Sequence, residues 1–393
     1  MNKFDEIIDR HNTNSEKYDF TVERGKPADI LPLWVADMDF RAPEEVLDAL
    51  HQAVSHGIFG YSEVKSDYYE VIANWFTRYF QWTPKEEWLI KTPGVVFAIN
   101  AAIRGLTKEN DAILIQTPVY YPFGNSVIQN NRKLVKNELV YQNGHYEIDF
   151  TDFEKKIADN QVKMFILCSP HNPVGRVWTK EELGKIAEIC TRYQVLVVSD
   201  EIHCDFTYEG HPHTVFADIS KEMEEQCVIC TAPSKTFNLA GLQTSNIFIP
   251  NAELREKVKE AIICGTGYAE INILGLVACK AAYEKGDRWL GELKEYLREN
   301  LDYVRDFLAT RIPQIHLVEP EGTYLIWLDC SALGLTDAEL EDFIVNKAKL
   351  WLDGGNMFGE HCGQFERVNM TCPRSVLQKA LEQLEAAVTG IKG

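Results

Sequence analysis

No stretch of this 393-residue chain is both long and apolar enough to cross a bilayer, which excludes an α-helical membrane protein. Basic residues are scarce, with 40 Lys and Arg against 59 Asp and Glu, a formal net charge of −19. A surface of that sign repels nucleic acid and anionic membranes, and no dense Lys/Arg run offsets it. Internal repeats, low-complexity tracts and Pro/Gly/Ser-rich linkers are missing. The opening MNKFDEIIDR has neither the basic nor the apolar segment of a secretory signal, so a cytoplasmic location is expected. Metal-site spacing is also lacking. Ten cysteines lie scattered between Cys168 and Cys372, and the one close pair, Cys227 and Cys230 in CVIC, has no second pair to complete a zinc site. They read as buried free thiols, and His361 with Cys362 makes no metal site.

What is present is an alternation of strands and helices. Apolar, β-rich runs recur as DAILIQ (111–116), KMFILC (163–168), VLVVSD (195–200), CVICTA (227–232) and SNIFIP (245–250). Between them lie segments of helical spacing such as TKEELGKIAEICTRY (179–193), where Thr179 and Glu182 form a capping-box pattern. This order predicts an α/β fold: a mostly parallel sheet sandwiched by helices. After about residue 285 a long charged helix is followed by a strand pair and more helix, a smaller α+β domain. The expected division is an N-terminal segment (1–45) packing on the small domain, a large domain (46–284) and the small domain (285–393). Sheets of this kind hold ligands on the loops after their strands, so the informative residues should sit there.

Several do. Asp200 ends VLVVSD, where a carboxylate suits a ligand crevice, a helix cap or a metal equally. Asn172 follows KMFILC in SPHNPVG, as a ligand donor or a plain turn residue. KTPGVVFAINAAIRGL (91–106) breaks into helix at Gly94, leaving the amides of Gly94, Val95 and Val96 open for an anion. Tyr120 and Tyr121 follow LIQTPV, placed to stack on a planar ring or to fill core. Lys235 in TAPSKTFNLAGLQ (231–243) carries the sharpest signal. A lysine in a tight, apolar turn is held toward its neutral, imine-forming amine. Arg367 in FERVNMTCPRS (365–375) suits an α-carboxylate, while Arg374 reads as a brace for the last helix.

In this order and spacing, the pieces resemble the class I/II aminotransferases, the fold-type I pyridoxal-phosphate (PLP) enzymes, over nearly the whole chain. The resemblance implies Lys235 as the Schiff-base lysine, Asp200 at the pyridine nitrogen and Asn172 at the ring hydroxyl. It also implies Tyr120 stacked on the ring, Gly94, Val95 and Ser234 at the phosphate, and Arg367 on the substrate carboxylate. A homodimer with shared sites is implied too, with Tyr61 of FGYSE reaching the neighbour's phosphate. Two positions depart from the transaminase pattern: His203 stands for the usual tyrosine three after the aspartate, and Gln243 for the usual arginine eight after the lysine. These changes, with LPLWVADMDF (31–40), DEIHCDF (200–206) and PSKTFNLAGLQ (233–243), are similar to the MalY/PatB branch of bacterial cystathionine β-lyases. The implied reaction is cleavage of an amino acid bearing sulfur at Cβ to a thiol, pyruvate and ammonia, with Lys235 as base and Lys235 or Tyr121 protonating the thiolate. The same residues serve transamination, which stays open at this point. Docking on a transcription activator is a second role known in that branch.

Overall fold

The computed structural model describes residues 2–267 and 271–391. Its centre is a seven-stranded sheet of β1 (Leu89–Thr92), β2 (Ala112–Thr117), β3 (Lys133–Glu138), β4 (Met164–Cys168), β5 (Leu196–Asp200), β6 (Cys227–Thr231) and β7 (Ser245–Phe248). The spatial order is β1-β7-β6-β5-β4-β2-β3. From β3 to β6 all neighbours run parallel, whereas β7 is antiparallel to both β6 and β1. Each central strand is apolar on both faces. Ile113, Ile115, Met164, Ile166 and Val198 enter one core, with helix α1 (Val95–Leu106). Ala112, Leu114, Phe165, Leu167 and Val197 enter the other, with helix α2 (Lys180–Arg192). Burying such a side chain stabilises by about 1.5–3 kcal/mol, so covering both faces favours unbroken apolar runs over alternation.

Local signals set the helix ends. The hydroxyl of Thr179 accepts from the Glu182 amide while Glu182 reaches back to the Thr179 amide, a complete capping box. Helix α1 packs closely on the helix Ala252–Thr266: a Cβ added to Gly105 would sit 2.6 Å from the Lys257 carbonyl oxygen. The charged helix α3 (Asp287–Arg311) leads into a second, antiparallel sheet. That sheet comprises β8 (His316–Val318), β9 (Leu325–Asp329), β10 (Asp353–Gly354) and β11 (Phe365–Asn369), in the order β8-β9-β11-β10. Arg374 opens the last helix and braces it on α3, its Nε donating to Asn300 Oδ1 at 2.6 Å. Among the described residues, no helix is long and apolar enough to cross a membrane.

The N-terminal segment crosses between the two sheets. Phe4 packs edge-on against Trp289 of α3 and against Phe40. Leu31 and Pro32 pair in parallel with Leu350 and Trp351. From Trp34 to Phe40 the chain becomes a strap fastened at almost every residue. Asn369 donates to the carbonyls of Val35 and Asp37. Asn238, in a left-handed conformation, bonds the Met38 amide and the carbonyls of Met38 and Phe40. Two carboxylates anchor the strap from below: Arg10 spans Asp37 and Asp39, and the wholly buried Lys17 lies 2.8 Å from Asp39. Fastening the carbonyls of Val35 and Asp37 fixes the backbone around Trp34 and Ala36, whose own carbonyls accept from Arg367 and Lys235.

Candidate active site

The C-terminal ends of β4, β5 and β6, the start of α1 and the strap enclose a cavity of about 340 Å³. Lys235 enters it from a one-turn helix, Pro233–Thr236, directly after β6. The turn is pinned beneath, where Thr236 Oγ1 donates at 2.6 Å to the buried carboxylate of Asp205, which also accepts from Trp75 Nε1 at 2.9 Å. Lys235 Nζ donates to the Ala36 carbonyl of the strap at 2.9 Å. Burial pushes its pKa down to about 8; Asp37 and Asp200 pull upward against it, and Arg367 adds to the fall. Near neutral pH a usable fraction is therefore the free amine.

Asp200, at the end of β5, faces the same cavity. Burial raises its carboxyl to about 7, opposed by the Ile202 amide and by Lys235. One of its oxygens accepts from Ile202 N at 3.1 Å; the other has no partner among the described residues. His203 also lines the cavity and packs edge-on to Tyr324. Burial, then Lys235 and Arg367, lowers its pKa to about 3, so the imidazole is neutral, and its Nδ1 is buried with no partner among the described residues. Where the transaminase pattern has a tyrosine, this position thus provides a neutral ring.

Asn172 and Arg367, 195 residues apart in sequence, meet at the wall: Arg367 Nη1 donates to Asn172 Oδ1 at 3.0 Å. The Asn172 backbone amide donates to Cys168 Sγ at 3.4 Å, whereas its side-chain Nδ2 donates to no described residue, and Asn172 lines the cavity. The guanidinium is fixed from three further directions. Asp353 accepts from Nη2, the Trp34 carbonyl accepts from the same nitrogen at 3.0 Å, and Phe358 lies 5.0 Å beneath it. Phe358 is buried, and its carbonyl accepts from Val119 N at 3.0 Å, which clamps the Gly-rich 354–363 segment onto the large sheet's loops. Arg367 is therefore oriented before any ligand arrives.

At the opposite end, α1 begins at Val95, and Ala98 N to Gly94 O is its first main-chain bond, leaving the amides of residues 95–97 open. Gly94, Val95, Val96, Ser234, Gln243 and Thr244 line this end of the cavity. Tyr120 covers its side, its phenol raised to about 12 by burial first. Tyr121, tilted 5.5 Å from Tyr120, stands outside the cavity lining at the mouth, edge-on to Phe358. Tyr61 is 89% exposed and is not part of this cavity.

The structure thus brings together Lys235, Asp200, His203, Asn172, Tyr120, Ser234 and residues 94–96, with Arg367 joined through Asn172. Sequence reading did not find Ala36, Asp353, Asp205 or Thr236. Asp353 had a usable sign, an acid closing the apolar run LWLD before two glycines. Ala36 had none, because what it contributes is a carbonyl.

Comparison with known proteins gives one picture. The family model described as aminotransferase class I and II matches residues 28–384. Cystathionine beta-lyase PatB of Bacillus subtilis is 42% identical over 386 residues, spanning 98% of this chain and all of that one. A PLP-bound putative aminotransferase from Clostridium difficile superimposes with a TM-score of 0.96 at 44% identity, covering 99% of this chain and 100% of the other. Cystalysin from Treponema denticola, whose crystal structure contains pyridoxal 5'-phosphate, gives 0.95 at 37% identity, with 99% of each chain covered.

Proposed function

The chain belongs to the class I and II aminotransferase family, and from the site within that family we infer that it is a PLP-dependent carbon–sulfur β-lyase. It cleaves L-cystathionine or related cysteine S-conjugates, with water, to a thiol, pyruvate and ammonia. The observation that carries this reading is the convergence of Lys235, Asp200 and the Asn172–Arg367 pair on one cavity. The choice of lyase over aminotransferase rests on the relatives, PatB among them and the C-S lyase of Staphylococcus hominis at 35% identity.

The residues fit the cofactor. Asp200 has an unengaged oxygen where a protonated ring nitrogen would neutralise it, and Asn172 has a free amide donor for the ring hydroxyl. The open amides of residues 95–97, with Ser234, form an anion cradle at a helix N-terminus, and Gln243 adds a neutral donor there. Tyr120 offers a ring face, and Lys235 a depressed amine. When bound, PLP supplies an electron-accepting ring for the electron pair left at Cα.

The protein's own groups do the rest. Arg367 grips the substrate α-carboxylate bidentately and turns the Cα–H bond toward Lys235. The neutral amine of Lys235 takes that proton as general base. With PLP bound, Asp200 would stay ionised and hold a proton at the ring nitrogen. Lys235 or the Tyr121 hydroxyl at the mouth then gives a proton to the departing sulfur. Phe358, packed against the guanidinium of Arg367, covers one of its faces.

The proposal extends to assembly and location. The exposed apolar segment of Ile58, Phe59 and Tyr61 supports a homodimer with shared sites, Tyr61 reaching the phosphate end of the neighbouring subunit's cavity. All ten cysteines are free thiols, which suits a cytoplasmic setting.

Pyruvate release from L-cystathionine by the PLP-loaded protein, with no keto acid added, tests the reading. Multiple turnovers that disappear in Lys235→Ala are expected. Glutamate formation that depends on 2-oxoglutarate, with no pyruvate from any cysteine conjugate, would replace the lyase with an aminotransferase.

A further inference from the structure

Outside the cavity, one exposed charged pair is joined to the Arg367 anchor through a single residue, Trp34. Residues 20–25 form a tight turn, with Arg24 N bonded to Phe20 O and Gly25 N to Val22 O. The turn lays the Arg24 guanidinium on the Trp34 ring, 5.0 Å from its centroid, while its Nη2 pairs with Glu16 at 2.6 Å. The other face of Trp34 is taken by Trp351, stacked at 4.5 Å and 14°. Trp34 is thus held between an indole and a guanidinium, and its carbonyl holds Arg367. One residue therefore carries a guanidinium at each end.

Both guanidinium groups lie close enough to the Tyr121 phenol to act on its charge. Burial raises the Tyr121 phenol above its ordinary range; Asp353 and Glu16 add to the rise, and Arg367 and Arg24 oppose it. Of these charges, Asp353 and Arg367 are buried and bound to each other. Arg24 and Glu16 keep 39% and 63% of their side-chain surface, open to an arriving ligand.

We propose that Arg24 and Glu16 form a distal subsite that recognises the second amino-acid head of the substrate. Arg24 takes the far α-carboxylate, and Glu16 takes the far ammonium. The subsite rests on the reading of Arg367 as the α-carboxylate anchor, and it makes substrates with two zwitterionic heads the preferred class. Trp34 spans on the order of 5 Å from carbonyl to ring, so the two guanidinium groups are no more than about 13 Å apart. With a carboxylate standing off each by about 3–4 Å, about 5–7 Å is left between the carboxylate carbons on a straight line, less than the roughly 9 Å of extended cystathionine, so the substrate fits between them in a bent conformation. An ordinary surface ion pair does little on its own. This one is oriented on an aromatic face, and a zwitterion satisfies both of its members.

Two unreactive ligands test the subsite without turnover. L,L-2,7-diaminosuberate is cystathionine with a methylene for sulfur, and L-2-aminoheptanoate lacks the far head. Calorimetric binding to the PLP-loaded enzyme should show Arg24→Gln weakening diaminosuberate by about 10-fold and aminoheptanoate by less than about 2-fold. Arg24→Lys should fall between, and Glu16→Gln should again affect only the two-headed ligand. In turnover, the kcat/KM ratio of L-cystathionine to S-methyl-L-cysteine should drop in the same variants. Equal weakening of both ligands, or of neither, would overturn the subsite. If the binding difference holds while no conjugate yields pyruvate, the subsite stands and the lyase reading alone fails.

Discussion

The cluster beneath the strap allows a worked prediction. Lys17 is wholly buried, with its ammonium 2.8 Å from Asp39 and 3.8 Å from Asp37. Arg10 completes the set at 2.5 Å from Asp37 and 2.7 Å from Asp39, and the Tyr18 hydroxyl donates to Asp39 at 2.9 Å. Two cations thus balance two anions. Lys17→Met keeps the buried volume and removes one charge, leaving the cluster net negative. Breaking a buried pair in this way costs about 3–5 kcal/mol. Because Arg10 and Tyr18 still serve Asp39, the lower end applies, about 3 kcal/mol, or roughly a hundredfold in the ratio of folded to unfolded protein. Urea denaturation of the cofactor-free protein, followed by tryptophan fluorescence, should show this as a lower midpoint with an unchanged slope. The double variant Lys17→Met/Asp39→Asn should recover part of the loss, since the uncompensated carboxylate is gone. A change below about 0.5 kcal/mol for Lys17→Met, within the scatter of surface substitutions, would refute the reasoning. So would simple additivity of the two substitutions.

Three further outcomes follow from the lysine's surroundings. The rate at which cofactor-free protein takes up PLP should rise with pH around a midpoint near 8, because only the neutral Lys235 amine reacts and burial has lowered its pKa. Asp37→Asn removes the carboxylate that most opposes this fall, so the midpoint should move below 8; a move upward would reverse the assigned sign. Thr236→Val leaves the buried Asp205 with one donor fewer and should destabilise by about 1.5–3 kcal/mol, whereas Thr236→Ser should stay near the parent. Thermal unfolding checks it, and equal Tm values for the two variants would count against the bond.

The parts of this molecule written in short-range pattern could be read from the chain. Both faces of β2, β4, β5 and β6 are buried, so each strand is an apolar run, bounded by turn residues, that local periodicity exposes. The capping box at Thr179 and Glu182 lies within four residues. Lys235 announced itself because an ammonium among small apolar residues is costly without a use. Residue type also pointed to Asp200, Asn172 and Arg367, each at a strand end or in a strand.

Only the tertiary structure decided which groups face one another. SNIFIP reads as a short β-rich run like the parallel strands of the sheet, yet β7 runs antiparallel to both strands beside it, because strand direction depends on the connection and not on the run. Arg367 is set by Asp353, by Asn172 and by the carbonyl of Trp34, the last of these 333 residues away. The strap acts through backbone carbonyls, which every residue has, so no side-chain pattern could mark Ala36 as the acceptor for Lys235. The sequence by itself determined the elements and the chemical groups. The direction in which each group is held came from hydrogen bonds between distant segments, and those exist only once the chain has folded.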